Sequence, residues 1–411
     1  MPTVTASIDI QKIRSLFPVL EQEVNGKPLI YFDNAASSQT VKPVVDALTH
    51  FYEKDHANIH RGIHTLAERS TKAYEETRER VSEFINAGEA DEIIFTKGTT
   101  ESINLVAQSW GSKFLSKGDE IVISQLEHHS NIVPWQLAAE RSGAVIKVIP
   151  INEKGEILLD QYKSLLSSKT KLVAVNYISN SLGTINPVKE IIEAAQNVGA
   201  ITLIDAAQAA PHIQIDVQEL NCDFLALSSH KMYGPTGVGI LYGRRDLLEA
   251  MPPYQGGGEM IKDVSFNGTT YNDIPYKFEA GTPNIGDVIA FKYAMDFIDE
   301  LGHENIQAYE HELLEYANTR LESIPGFRAI GTADYKASVI SFLIDNVHQY
   351  DLGQLLDVRG VAVRTGHHCT QPLMDHLGID GTVRASFAVY NTKEEIDVFC
   401  DALQSIVKKF S

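Results

Sequence analysis

From about residue 90 the chain alternates between short apolar runs and stretches of helical character, and that alternation limits the folds open to it. The apolar runs fall at Glu92–Phe95, Glu120–Ser124, Val145–Val148, Lys171–Asn176, Ile201–Asp205 and Phe224–Ser228. Between most of them lie helical stretches such as Glu101–Trp110, Ile132–Arg141 and Val188–Val198. Strand, helix, strand in repetition predicts an α/β protein with a mainly parallel, seven-stranded sheet covered on both faces. The run Gly237–Tyr242 follows Phe224–Ser228 through a link too short for a helical crossover, so it is predicted to lie antiparallel. Ligands of such sheets sit beyond the carboxyl ends of the strands, which says where to look for chemistry.

Residues Pro252–Pro283 interrupt the alternation with GGGE, NGTTYND and EAGTP, and read as a functional loop or hairpin. A helical stretch from about Ile285 to Glu300 leads to a smaller α+β unit. There, strands are predicted at Val339–Ile344, Val361–Arg364 and Val383–Val389, with a helix over Leu352–Arg359. A last helix begins at a Thr392–Glu395 capping box. The expected division is a large domain over 21–294 and a small domain built from 1–20 and 295–411.

The 411 residues, 44% of them hydrophobic, are ample for a large core. A net charge of −19 without a basic run argues against a nucleic-acid partner, which needs a basic face. No apolar run approaches the roughly 20 residues that span a bilayer, and the opening segment lacks the pattern of a secretory signal. Three scattered cysteines, Cys222, Cys369 and Cys400, suit a reducing compartment better than a disulfide framework. These features lead us to expect a soluble, cytoplasmic protein with no membrane partner.

Three segments at predicted strand ends carry candidate chemistry. Asp205, closing Ile201–Asp205, is placed to hold a proton on a pyridine nitrogen, with Gln208 near enough to reach a phenolic oxygen on the same ring. Lys231, in Ser228-Ser229-His230-Lys231, sits where a lysine can be desolvated and bonded to an aldehyde, while Ser228 and His230 offer donors to a phosphate. Thr99 and Thr100, in Thr96-Lys97-Gly98-Thr99-Thr100-Glu101, open a helix whose free amides make an anion cradle. The segment lacks the G-x-x-x-x-G-K-[ST] pattern, so a nucleoside triphosphate is not indicated. A ring nitrogen, an aldehyde and a phosphate together describe pyridoxal 5'-phosphate.

A second group clusters around Cys369 in Arg364-Thr365-Gly366-His367-His368-Cys369. Two His and a Cys invite a zinc reading, but no C-x-x-C or H-x3-5-H cluster supplies further ligands, so no metal is expected. The other reading is a nucleophilic thiolate favoured by neighbouring cationic groups. Cys222 and Cys400 lack such company and read as core residues. His128, in Glu127-His128-His129-Ser130-Asn131, is placed to stack on a ring and move protons, or to serve as a hydrogen-bonded structural residue. Arg384 is a candidate clamp for a substrate carboxylate, the alternative being a solvated strand-end charge. His60 and Arg61 are candidates for the pocket mouth.

Ten segments, including YFDNAA from Tyr31, NIHRGIH, LEHHSNIVPW, IDAAQAAPH, SSHKMYGPTGVGILYG, FEAGTPN, RTGHHC and RASFAVYNT, resemble the class V, fold-type I pyridoxal-phosphate family. More narrowly, they resemble the SUF-type (group II) cysteine desulfurases and selenocysteine lyases. The resemblance implies that Lys231 bonds the cofactor, His128 stacks on it, and Asp205 and Gln208 hold its ring. It assigns the phosphate to Thr99, Thr100, Ser228 and His230, and the substrate carboxylate to Asn180 and Arg384, with Arg364, His60 and Arg61 as further substrate-side residues. Thr282 is expected to reach the cofactor of a second subunit, which implies a homodimer. The implied activity converts L-cysteine to L-alanine with a persulfide on Cys369. That sulfur is passed to an acceptor protein of the SufE or SufU kind for iron-sulfur cluster assembly, and selenocysteine is a second substrate. A small-amino-acid aminotransferase of the same class is the alternative. One departure is Gln255 before Gly256, where the family often carries an acid.

Overall fold

The computed structural model describes residues 9–410. Residues 1–8 of the N-terminal piece expected in the small domain therefore lie outside the described residues. Seven strands form the main sheet: β1 (Ile93–Thr96), β2 (Glu120–Ser124), β3 (Val145–Ile149), β4 (Thr170–Asn176), β5 (Ile201–Asp205), β6 (Phe224–Ser228) and β7 (Gly239–Gly243). Their spatial order is β1-β7-β6-β5-β4-β2-β3. Strand β7 is antiparallel to both neighbours and the other pairings are parallel, as the spacing predicts.

Alternate residues along each strand feed separate cores. Val173, Val175, Ile204 and Leu227 pack on one face, and Leu172, Ala174, Leu203 and Ala226 on the other. Burial on both faces is why the strands read as continuous apolar runs. Residues 252–283 contain an exposed hairpin, β8 (Ile261–Ser265) and β9 (Gly268–Tyr271), with Phe266 fully exposed at its tip. Behind the hairpin Glu279 accepts two hydrogen bonds from Arg78, at 2.7 and 2.9 Å, and one from the Phe95 amide at 2.8 Å.

The second sheet has four antiparallel strands, β10 (Phe327–Ile330), β11 (Val339–Ile344), β12 (Arg364–Gly366) and β13 (Thr382–Ser386), in the order β10-β11-β13-β12. Its core, around Phe342, Leu313 and Phe399, also takes in Ile30 and Phe32 from near the N-terminus. Two expectations are corrected here. The predicted strand Val361–Arg364 is split, because Val361–Ala362 pairs in parallel with Ile30–Tyr31 while Arg364 turns to join β13. The predicted strand Val383–Val389 ends at Ser386, where the Ser386 and Phe387 amides donate to Phe32 and Ser338. The Thr392–Glu395 capping box is present in both directions, at 3.0 and 3.3 Å. Among the described residues no helix is long and apolar enough to cross a membrane.

Strand β7 lies tight against the turn that opens the helix Thr99–Phe114. A Cβ on Gly239 would fall 2.3 Å from the Cα of Gly98. Gly239→Ala is therefore expected to lower stability by about 3 kcal/mol through overpacking, read from urea unfolding.

Candidate active site

The carboxyl ends of β1, β2, β4, β5 and β6 converge on a cavity of about 310 Å³ between the main sheet and β12–β13. Thr99, Thr100, His128, Asn180, Asp205, Gln208, Ser228, His230, Lys231, Arg364, Cys369 and Arg384 all line it. Twelve of the fifteen residues singled out in the sequence thus meet at one place.

At one end, the Thr99 amide and hydroxyl both bond the Ser228 hydroxyl at 2.8 Å, at the N-terminus of the helix Thr99–Phe114. His230 adjoins them, and burial, aided by the charge of Lys231, pushes its ring down to about 4. In the middle, Asp205 is buried with one oxygen accepting the Ala207 amide at 3.0 Å. Gln208 is fixed by a 2.6 Å bond to the Ala35 carbonyl. Lys231 follows β6 in a single 3-10 turn. Burial lowers its amine below the usual lysine range, with Asp205 opposing that shift and Arg384 adding to it. Burial also raises Asp205, against the pull of Lys231.

His128 caps the next turn, its Nδ1 accepting the Ser130 amide at 3.0 Å, so the neutral ring carries its proton on Nε2. Burial first, then the charge of Lys231, holds it down at about 3. At the far end Arg384 is 2% exposed in the middle of β13, which corrects the solvated strand-end alternative. It donates to the Asn180 carbonyl at 2.8 Å and to Asp33 at 3.1 Å. Arg364 reaches the same Asp33 at 2.9 Å, and Asn180 donates to the His368 carbonyl at 2.8 Å.

Three candidates lie elsewhere. His60 bonds Glu75 at 2.8 Å and packs edge-on against Tyr74 and Tyr276. Arg61 pairs with Glu259 at 3.2 Å. Within one chain neither reaches the cavity. Thr282 lines a separate cavity with Lys97, Tyr254 and Gln255. Of the cysteines, Cys369 is exposed while Cys222 and Cys400 are buried. His367 and His368 diverge, the latter turning inward to bond the Thr382 hydroxyl at 2.7 Å.

Sequence reasoning gave no role to two residues that organise the site. Asp33 holds both arginines, a link visible only once segments more than 300 residues apart are folded together. Glu127 is buried beneath His128, accepting from Asn131 at 2.7 Å, from the Asn176 amide at 3.0 Å and from Ser124. Its place beside His128 in the EHH run was the available signal.

The cavity fits pyridoxal phosphate on its own polar accounting. Asn180 Oδ1 and Arg384 Nε are buried with no hydrogen-bond partner among the described residues, and both residues line the cavity. Helix amides at one end, a buried carboxyl and amine in the middle, and an unsatisfied guanidinium N–H at the other match a phosphate, a ring and a carboxylate in turn, while Asn180 Oδ1 is left to accept from a donor on the bound group. The family model for aminotransferase class-V matches residues 30–399. The chain belongs to the class-V aminotransferase family. Within it, a probable cysteine desulfurase of Mycolicibacterium paratuberculosis is 54% identical over 97% of this chain and 58% of its own length. A cysteine desulfurase of Pectobacterium carotovorum is 49% identical over 97% of this chain and 98% of its own. The chain spans only 58% to 66% of the length of the mycobacterial and Synechococcus relatives it matches. The crystal structure of the Escherichia coli cysteine desulfurase CsdA superposes with a TM-score of 0.92 at 38% identity, covering 98% of this chain and all of that one. The class-V fold expected from the sequence is thereby borne out, with its mostly parallel seven-stranded sheet and small antiparallel one.

Burial lifts the Glu127 carboxyl to about 8, with Asp205 adding to the rise and its three donors opposing it. A carboxyl with a raised folded value keeps a proton that the unfolded chain releases near 4.5, so stability falls as pH rises between the two values. Wild type is expected to lose stability relative to Glu127→Gln from pH 5 towards about 8. Urea midpoints of both proteins across that range check the sign.

Proposed function

We propose that this protein is a pyridoxal-phosphate-dependent cysteine desulfurase that gives L-alanine and takes the substrate's sulfur onto Cys369. The observation that carries the reading is the one exposed cysteine lining the same cavity as Lys231, Asp205 and Arg384. The names of its relatives support it, as does a carboxylate clamp scaled to an amino acid.

When bound, pyridoxal phosphate supplies an aldehyde that captures an amine and a protonated ring that withdraws electrons. Asp205 keeps the ring nitrogen protonated, and Thr99, Thr100, Ser228 and His230 hold the phosphate. Arg384 and Asn180 orient the substrate carboxylate. Lys231 Nζ, made a competent base by its burial, takes the proton from the substrate Cα and returns it on the side of product. His128, neutral through the working pH range, would pack on the ring and offer Nε2–H as a donor. Cys369 Sγ attacks the substrate sulfur: an S–S bond forms, the Cβ–S bond breaks, and its electron pair and a proton remain on the carbon that becomes the alanine methyl. L-Cysteine and the Cys369 thiol thus give L-alanine and the Cys369 persulfide.

The finer assignment follows the same resemblance. The persulfide passes to an acceptor of the SufE or SufU kind for iron-sulfur cluster assembly in the cytoplasm, and selenocysteine is a second substrate. The division into 21–294 and 1–20 with 295–411 puts the sulfur acceptor on the small domain. A homodimer would bring Thr282 to the partner's cofactor. Incubation of the holoenzyme with L-cysteine and a sulfur acceptor, without a keto acid, is expected to yield alanine. Cys369→Ser should retain the cofactor's absorbance and lose about a hundredfold or more of the activity, as when a nucleophile is removed. Full alanine and persulfide production by that variant, or a requirement for a keto acid, would overturn the assignment and favour an aminotransferase.

A further inference from the structure

His368 and Cys369 both adopt left-handed backbone angles, with φ of 52° and 57°, and neither is glycine. Two such residues in succession are held only if the surroundings fix them. Asn180 Nδ2 donates to the His368 carbonyl at 2.8 Å. The Cys369 carbonyl accepts from the His129 amide at 2.8 Å, and the Gln371 amide donates to His129 Nε2 at 3.1 Å. Asn180 therefore holds the chain just before Cys369, and His129 holds it at Cys369 and two residues beyond, once through its backbone and once through its ring.

We propose that His129 is a positioning residue that latches the Cys369 loop over the cavity through its neutral ring, and that protonating the ring frees the loop. The Gln371 amide can only donate, so Nε2 must present a lone pair and the proton must sit on Nδ1. A second proton would set N–H against N–H and break the ring's half of the grip. His367, whose ring lies 5.5 Å away on the loop itself, is the titratable group acting on His129; His128 and Cys369 are its next neighbours. Burial, with His367 adding, lowers the His129 ring below 6.5, so the latch is closed at neutral pH and opens as pH falls through that lowered value. As His129 directly follows His128, a residue that lines the cavity and the one holding the thiol's loop share a single turn. The functional meaning rests on Cys369 being the sulfur acceptor, because a loop that must both reach substrate and serve a partner needs a release.

The test is hydrogen exchange at the Gln371 amide in the holoenzyme, corrected for intrinsic rate and followed from pH 7.5 to pH 4.5, with iodoacetamide labelling of Cys369 in parallel. His129→Ala is expected to lower protection of that amide about tenfold at pH 7, the equivalent of one lost hydrogen bond. His129→Gln, which keeps an acceptor that cannot be protonated in this range, should restore protection and hold it flat where wild type loses it on acidification. Cofactor absorbance should be unchanged in both variants. Protection in His129→Ala equal to wild type, or an acid-induced loss that persists in His129→Gln, would overturn the latch. Neither readout uses L-cysteine, so a failed latch and a failed desulfurase assignment are separately visible.

Discussion

A carboxyl and an amine buried in one cavity must either pair in good geometry or drift towards their neutral forms. Asp205 and Lys231 occupy that position at the ends of adjacent parallel strands, and burial moves each away from its charged state. A ligand that offers a ring N–H to the acid and an aldehyde to the amine relieves both at once. The rest of the site follows from that pairing: β5 and β6 must lie side by side, and the phosphate cradle must fall where β1, one strand beyond β7, ends.

The remaining wall comes from another part of the chain. Asp33 ties the N-terminal segment to Arg364 and Arg384 on β12 and β13, while Ile30–Tyr31 pairs with Val361–Ala362. The second sheet and the N-terminal segment are thus fastened together at Arg384, whose bond to the Asn180 carbonyl ties both to the loop after β4, where a substrate carboxylate is proposed to bind. Arg384 alone in that position would be a buried charge; with Asp33 on one side and the Asn180 carbonyl on the other, it is a directed one.

The sheet was legible because strands buried on both faces leave unbroken apolar runs, and because a short link forces an antiparallel neighbour. Asp205 and Lys231 were legible because they close such runs. The helices Thr65–Phe84 and His303–Leu321 were not predicted; both are rich in charged residues, so their apolar stripes stand out less than the strand runs. Splitting of the strand Val361–Arg364 was illegible for a different reason, since its two halves pair with partners far away in sequence. The same distance hid Asp33, and burial hid Glu127, whose carboxyl looks in sequence like any solvated acid. Resemblance, more than spacing, distinguished Cys369 from a metal ligand.

The hairpin β8–β9 is closed at its root by the Asn272 amide, which donates to the Met260 carbonyl at 2.9 Å, whereas Phe266 at its tip is fully exposed among the described residues. Mechanically it is a cantilever. Glu279, beyond the hairpin, separately braces β1 through Arg78 and the Phe95 amide, so the overhang can change length or sequence without any strand of the main sheet shifting register. Diversification of whatever the tip touches is thereby uncoupled from the upkeep of the catalytic framework.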